Sequence, residues 1–299
     1  MKTKLFFMAL LLTVLVAGNV FPAPLGSEEN PIVWSFVPSG EMERVAAGAR
    51  EVADLLHAKT GYYFSTNVAT EYAGVIEALS SNPPTAHMSS LATFAYILAA
   101  DRKVTEAALV SVRSGSATYY GQIIAGAKKG IKTIADLKGK TFGRPDPLST
   151  SGWIIPMLTM RAAGINPDKD LKQILDAGSH DAVVAAVYNG DVDAGATYVD
   201  ARTRIEKEHP DVMEKVVVIK VTERIPNDGV QFSPKVPKDM REKIVDALLE
   251  ISKTDQGKKA LNTAYQWTAL ERHDDSFYDP FRQVLQASGL KVEDLLKKK

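Results

Sequence analysis

The stretch Arg144-Pro145-Asp146-Pro147-Leu148-Ser149-Thr150-Ser151-Gly152-Trp153 concentrates the chemistry this chain offers. Two prolines and an aspartate stop a strand, and three successive hydroxyl residues with a glycine then open the helix that carries Trp153 to Ala163. The N–H groups of a first helical turn have no partner inside the helix and lie at the positive end of the macrodipole. With Ser and Thr hydroxyls beside them they form a cradle for an anion. Plain N-capping by Ser149 or Thr150 draws on the same residue types, so both readings stand at this point. Gly152 lets a ligand come close. Pro156 has no N–H for the Gly152 carbonyl, so the helix must begin near Ser151.

His180 and Tyr72 occupy matching places in two 20-residue windows, Ser179 to Tyr198 and Glu71 to Ser90. In register, Val75, Ile76, Ala78, Leu79 and Ala86 meet Val183, Val184, Ala186, Val187 and Ala194. Each window reads as a short helix, a turn and a strand, with an imidazole or a phenol at the helix start, and either ring can donate to an anion. Asp200 follows the second window's strand, and Asp228 lies in Ile225-Pro226-Asn227-Asp228-Gly229. An ionised carboxylate only accepts, so beside an anion it suits a ligand that still carries a P–OH group. Taken alone, both are ordinary loop aspartates.

These residues need elements to hold them. Ile32–Val37 reads as a strand, and Ser39 with Glu41 to Glu43 opens a helix through Leu56. The alternation continues with strands at Tyr62–Val68, Ala86–Met88 and Ala107–Val112 and helices at Ala73–Leu79 and Leu91–Ala100. Strands alternating with helices indicate parallel pairing in an α/β sheet. The repeated window indicates two lobes of one design, with a crossover near residue 125 and a return after the Val216–Val221 strand. The expected division is therefore 30–124 for a first lobe, 125–223 for a second, and 224–299 for the return and the C-terminal helices at Lys238–Lys253, Gln256–Tyr265 and Tyr278–Ser288.

Lys2 and Lys4 precede an uncharged run of 14 residues, Leu5 to Gly18, which is the layout of a secretory leader over residues 1–18, with a cut anywhere up to about residue 26. A bilayer span needs ~20 apolar residues, so a permanent anchor is the poorer reading. An exported, extracytoplasmic protein is expected. The 36 basic and 36 acidic residues balance, leaving no basic footprint for a nucleic acid. With no cysteine, disulfides, thiolate metal sites and thiol nucleophiles are excluded. Neither a metal nor a cofactor is expected.

Glu71 to Ala78, Asp146 through Gly152, Gly178-Ser179-His180-Asp181-Ala182 and Ile225 to Asp228 together resemble the phosphate, phosphite and phosphonate-binding proteins of bacterial ABC importers. The similarity runs from about Ile32 to Leu290, and Asp-Pro-x-Ser-Thr-Ser-Gly is its most specific part. The resemblance implies a type II periplasmic binding protein, with two α/β lobes closing about a two-strand hinge. It implies that Ser149, Thr150 and Ser151 bind phosphoryl oxygens, with His180 beside them and Tyr72 and Tyr119 facing them. Asp200 and Asp228 would accept from the ligand's protonated oxygen or its substituent. At Asp200 the phosphonate-binding member carries Glu, one methylene longer, which leaves phosphonate, phosphite and phosphate all open. The implied partner is a membrane permease, and the implied place is the periplasm or the outer cell surface. A hydrolase using Ser149, His180 and Asp200 as a triad is the enzymatic alternative, although the G-x-S-x-G elbow is missing. A sensor that signals its closed state to another protein is the third.

Overall fold

The structure is a computed structural model that describes residues 23–289, so the leader expected over residues 1–18 lies outside the described residues. The chain begins with β1 (Ile32–Phe36), α1 (Met42–Thr60), β2 (Phe64–Val68), α2 (Tyr72–Ser80), β3 (Met88–Ser90), α3 (Thr93–Asp101) and β4 (Glu106–Val112). It continues through β5 (Thr118–Gly126), β6 (Thr141–Arg144), α4 (Ile155–Ala162), α5 (Pro167–Asp170) and β7 (Gln173–Asp176). Next come α6 (His180–Asn189), β8 (Ala194–Tyr198), α7 (Val212–Lys215) and β9 (Val216–Pro226). The last part is β10 (Gly229–Phe232), α8 (Lys238–Ile251), α9 (Asp255–Tyr265), β11 (Ala269–Arg272) and α10 (Asp279–Ala287).

Two sheets result, one per lobe. The first has strand order β11-β4-β10-β3-β1-β2 and the second β7-β6-β8-β5-β9. Strands linked by helices pair in parallel, β1 with β2 and β3, and β6 with β7 and β8. The sheets are nevertheless mixed, because β5 and β10 arrive from the other lobe without an intervening helix and pair antiparallel with their neighbours. The two repeated windows become α2 with β3 and α6 with β8. Their matched residues Val75, Ile76, Ala86 and Val183, Val184, Ala194 are all buried.

The crossovers fall elsewhere than the sequence places them. The chain changes sheet at residues 113–117, not near 125, because Gly121–Ala125 lies inside β5 and is already paired with β8 and β9. It returns at residues 227–228, because β9 stays paired with β5 as far as Pro226. The turn between β9 and β10 therefore sets Asp228 beside Arg113, one on each crossover.

Helix α1 shows how the first lobe is held. The Glu41 side chain accepts from the N–H groups of Glu43 and Arg44 at 2.9 and 2.7 Å, and Gly61 ends the helix with φ 75. Between them Val45, Ala49, Val52, Ala53 and Leu56 form one buried stripe. Helix α9 packs on α1 so closely that a Cβ at Gly48 would overlap the backbone of Ala260 and Ala264. Gly48→Ala should therefore lower stability by about 1–3 kcal/mol through overpacking. A urea unfolding curve should show the midpoint falling with an unchanged slope, and an unmoved midpoint would show that the two helices separate freely.

Candidate functional site

Four helix starts meet between the lobes. Tyr72 is the first residue of α2, and Ala92 precedes α3, both from the first lobe. From the second lobe come His180, the first residue of α6, and Ser149, which caps a π-helical turn over Thr150–Ile154 that runs on into α4. All four line a cavity of about 10 Å3, roughly the room of one water molecule. Tyr119, Thr150, Ser151, Arg113 and Asp228 also line it, with Val37, Ser39 and Tyr198. Wider hollows of about 590 and 570 Å3 lie at the opposite end of β4. They are walled by mutually paired ions such as Arg272 with Glu242 and Arg282 with Asp275.

The hydroxyl cradle is both a cap and an opening to the cavity. Ser149 Oγ accepts from the Gly152 N–H at 3.2 Å, which leaves its own proton to donate. The π turn lets Pro156 fall at the start of the α-helical part, where its missing N–H costs least. Gly152 has a different role from the one the sequence gives it. A Cβ there would strike Pro145 and Ser149, so the glycine lets the turn close on its own strand and makes no room for a ligand.

His180 is buried, and its tautomer follows from its neighbours. Its Nδ1 lies 3.3 Å from the Tyr198 backbone N–H, which can only donate, so Nδ1 carries the lone pair and Nε2 the proton. Nε2 stands 3.4 Å from Ser149 Oγ. Burial, with Arg113 nearby, pushes the imidazole down to about 3, so it is neutral and donates from Nε2. A nucleophilic serine would need Nε2 to accept, with Nδ1–H given to a carboxylate. The observed tautomer is the reverse of that arrangement.

Asp228 is held by Ser111 Oγ at 2.8 Å, Arg113 Nη2 at 3.0 Å and Trp267 Nε1 at 3.1 Å on its Oδ1. Its Oδ2 takes Arg113 Nη2 alone, at 2.8 Å, and keeps acceptor capacity. The Tyr119 ring lies 5.2 Å from the Arg113 guanidinium, and burial together with Asp228 pushes its phenol up to about 12. Burial also raises the Tyr72 phenol, whose hydroxyl adjoins Ser149 and Ser39. Both phenols are therefore protonated donors at neutral pH.

Asp200 is not part of this group. It is exposed with φ 65, and its carbonyl accepts from the Thr203 hydroxyl at 2.7 Å, so it serves the turn after β8 and does not line the cavity. The other seven expected residues do line it. Arg113 is absent from the sequence expectations, and Asp146 enters them only as a strand stop and as part of the motif that carries the resemblance. Arg113 follows directly on the apolar strand that ends at Val112, and a cation at the end of such a run was a usable signal. Buried Asp146 reaches across the cleft, where its Oδ2 accepts from the Tyr72 N–H at 3.0 Å, while its Oδ1 accepts from Leu148 at 2.7 Å. Burial raises its carboxyl despite those two bonds.

More bonds tie the lobes. The Phe94 N–H donates to Thr150 Oγ1 at 2.9 Å, and the His180 N–H donates to the Ser39 carbonyl at 3.2 Å. Asp181 accepts from the Glu41 N–H at 3.2 Å and pairs with Arg44 at 2.8 Å. The lobes are thus closed on each other. Among the described residues no group of three or more His, Cys, Asp or Glu gathers to hold a metal ion.

The model of the family described as "ABC transporter, phosphonate, periplasmic substrate-binding protein" matches residues 34–278. The phosphonates-binding periplasmic protein of Escherichia coli (strain K12) is 23% identical over 268 residues, covering 88% of this chain and 78% of that protein. A solved binding protein component of an ABC phosphonate transporter from Pseudomonas aeruginosa superposes with a TM-score of 0.79 at 24% identity, covering 87% of each chain. The structure of PhnD1 from Prochlorococcus marinus (MIT 9301) in complex with methylphosphonate has a TM-score of 0.75 at 14% identity, covering 86% of this chain and 97% of that one. The fold is that of a type II periplasmic binding protein.

The neutral imidazole leads to a stability prediction. The folded His180 titrates near 3 and an unfolded histidine near 6.5, so between those values the unfolded chain binds a proton that the folded chain does not. The contribution is complete above the unfolded value and is lost as pH falls towards 3. Urea midpoints measured from pH 7 to pH 4 should drop more steeply for the wild type than for His180→Asn. Parallel curves would show that the ring is not buried in its neutral form.

Proposed function

This chain belongs to the family of periplasmic substrate-binding proteins of ABC phosphonate transporters, and we propose that the cavity between its lobes captures a small phosphorus oxyanion, a phosphonate, phosphite or phosphate. The carrying observation is the meeting of four helix starts around three hydroxyl residues, with one carboxylate oxygen left able to accept. Ser149, Thr150 and Ser151, with the first-turn N–H groups, would hold the phosphoryl oxygens. His180 donates from Nε2, and Tyr72 and Tyr119 donate from their phenols. Asp228 Oδ2 accepts from a P–OH group. Fixed main-chain and capping donors suit reversible capture, since they bind charge without offering a nucleophile.

Binding and closure are coupled in this reading, because Arg113 and Asp228 stand on the two crossovers about which the lobes would turn. The closed form is what a membrane permease would read, as in other clamping receptors. Export by the leader over residues 1–18 would bring the protein to the periplasm or the outer cell surface, where that permease takes the ligand. The methylphosphonate bound by the Prochlorococcus neighbour makes that compound the first to try.

Isothermal calorimetry with methylphosphonate, phosphite and phosphate tests the proposal. At least one should bind, and Ser149→Ala should weaken it by roughly 10- to 100-fold, the loss of one hydrogen bond to a charged group. The carboxylate adds a sign. Affinity should fall as pH rises through the ligand's last ionisation, near ~6 for phosphate-type groups, and Asp228→Asn should flatten that fall. No heat from any of the three ligands would end the proposal.

A further inference from the structure

We infer that the preferred ligand carries a short anionic substituent, a carboxylate or a second phosphoryl group, seated in a basic annex that adjoins the phosphoryl site. This rests on the capture of a phosphorus oxyanion proposed above. A second cavity of about 10 Å3 shares Ser39, Arg113 and Tyr198 with the first and is closed on its far side by Arg44, Arg204 and Gln266. Three guanidinium groups from three separate segments therefore face one small space.

Two carboxylates answer them. Arg44 pairs with Asp181 at 2.8 Å and Arg113 with Asp228 at 2.8 Å, which leaves one positive charge over. Arg204 is that surplus. Among the described residues it has no carboxylate partner. It reaches the Asn262 carbonyl at 3.4 Å, and, with the Gln266 amide turned to satisfy its neighbours, the Gln266 oxygen at 3.0 and 3.3 Å. The same turned amide donates to the Tyr198 hydroxyl at 3.3 Å. The Nε–H groups of both Arg44 and Arg113 are buried without any partner. A buried donor on a charged group that binds nothing is costly, and a compact anion within its reach would remove that cost; the Asp181 Oδ1 atom is buried without a partner as well.

The same geometry excludes other substituents. An aminoalkyl group would bring a second cation to a surplus of positive charge. The acids near it are engaged, since Asp181 pairs with Arg44, Asp228 pairs with Arg113 and in the proposed mode gives its remaining acceptor to the P–OH group, and Asp200 is exposed on a turn outside the cavity. A methyl group neither gains nor loses by the charge. The annex is as small as the cavity it adjoins, so the anionic group must sit directly on the phosphorus or one methylene away.

Calorimetry of the mature chain with phosphonoacetate, pyrophosphate, methylphosphonate and 2-aminoethylphosphonate decides the matter. Phosphonoacetate or pyrophosphate should bind about tenfold or more tighter than methylphosphonate, the gain of one charge-assisted contact, and 2-aminoethylphosphonate should bind weakest. A lead for phosphonoacetate assigns the annex to a carboxylate, and a lead for pyrophosphate assigns it to a second phosphoryl group. In Arg204→Gln the preference over methylphosphonate should shrink to less than about threefold, a ratio that a general weakening of closure would leave unchanged. Equal weakening of both ligands by that variant overturns the annex, as does a 2-aminoethylphosphonate affinity equal to that of phosphonoacetate. In either case methylphosphonate binding persists and the oxyanion reading stands, whereas no binding by any of the four overturns both.

Discussion

Positive helix ends facing one another across a closed cleft are the constraint from which the rest of the site follows. The starts of α2 and α3 in one lobe meet those of the Ser149 turn and α6 in the other. Each start presents N–H groups without intrahelical partners, and closure strips them of water. Without acceptors the lobes would repel and leave buried donors unmet. The chain supplies some acceptors itself. Asp146 takes the Tyr72 N–H, and Thr150 Oγ1 takes the Phe94 N–H. What remains around the Ser149 turn is a set of donors lining one small space, the arrangement that the proposed oxyanion capture requires.

Burial explains why these titratable groups are neutral donors. The imidazole of His180 is stripped of charge by burial and by Arg113, and the Tyr198 N–H fixes which nitrogen keeps the proton. The Tyr72 and Tyr119 phenols are raised for the same reason of burial. Asp146 shows the same cost, since burial raises its carboxyl although two N–H groups favour its charge. The neutral imidazole and both protonated phenols are donors at neutral pH. The His180 tautomer is the reverse of the one a serine nucleophile would need.

Much of this was legible in the sequence because it is local. Capping by Ser149, the helix starts at Tyr72 and His180, and the buried registers of the two windows depend on residues a few positions apart. Reading them needs only periodicity and capping chemistry. What escaped was non-local or stereochemical. Arg113 and Asp228 pair across 115 positions, and Asp146 reaches Tyr72 across 74. The resemblance places Asp200 in the cleft, yet its left-handed backbone turns it outward, a conformation Asp tolerates better than most residues. Gly152 was read for its lack of a side chain, correctly, but the atom it makes room for is in Pro145. The crossover was set too late because an apolar run does not announce which sheet it joins.

Capture and closure share atoms in this molecule. Asp228 is fixed by Ser111, Arg113 and Trp267, and the next residue back, Asn227, donates to the carbonyls of Ser111 and Ser116. The two crossovers are thereby bonded to each other at the point where a ligand would meet Asp228 Oδ2. In the proposed reading a hydrogen bond donated to that oxygen would act directly between the two crossovers, with no relay from a remote pocket. The clasps at Tyr72, Phe94, Ser39 and Arg44 are single hydrogen bonds and one ion pair, each modest in water-exposed form. In the proposed reading such clasps alone are weak, so occupancy of the cavity would set the strength of closure and the lobes would part once the ligand leaves.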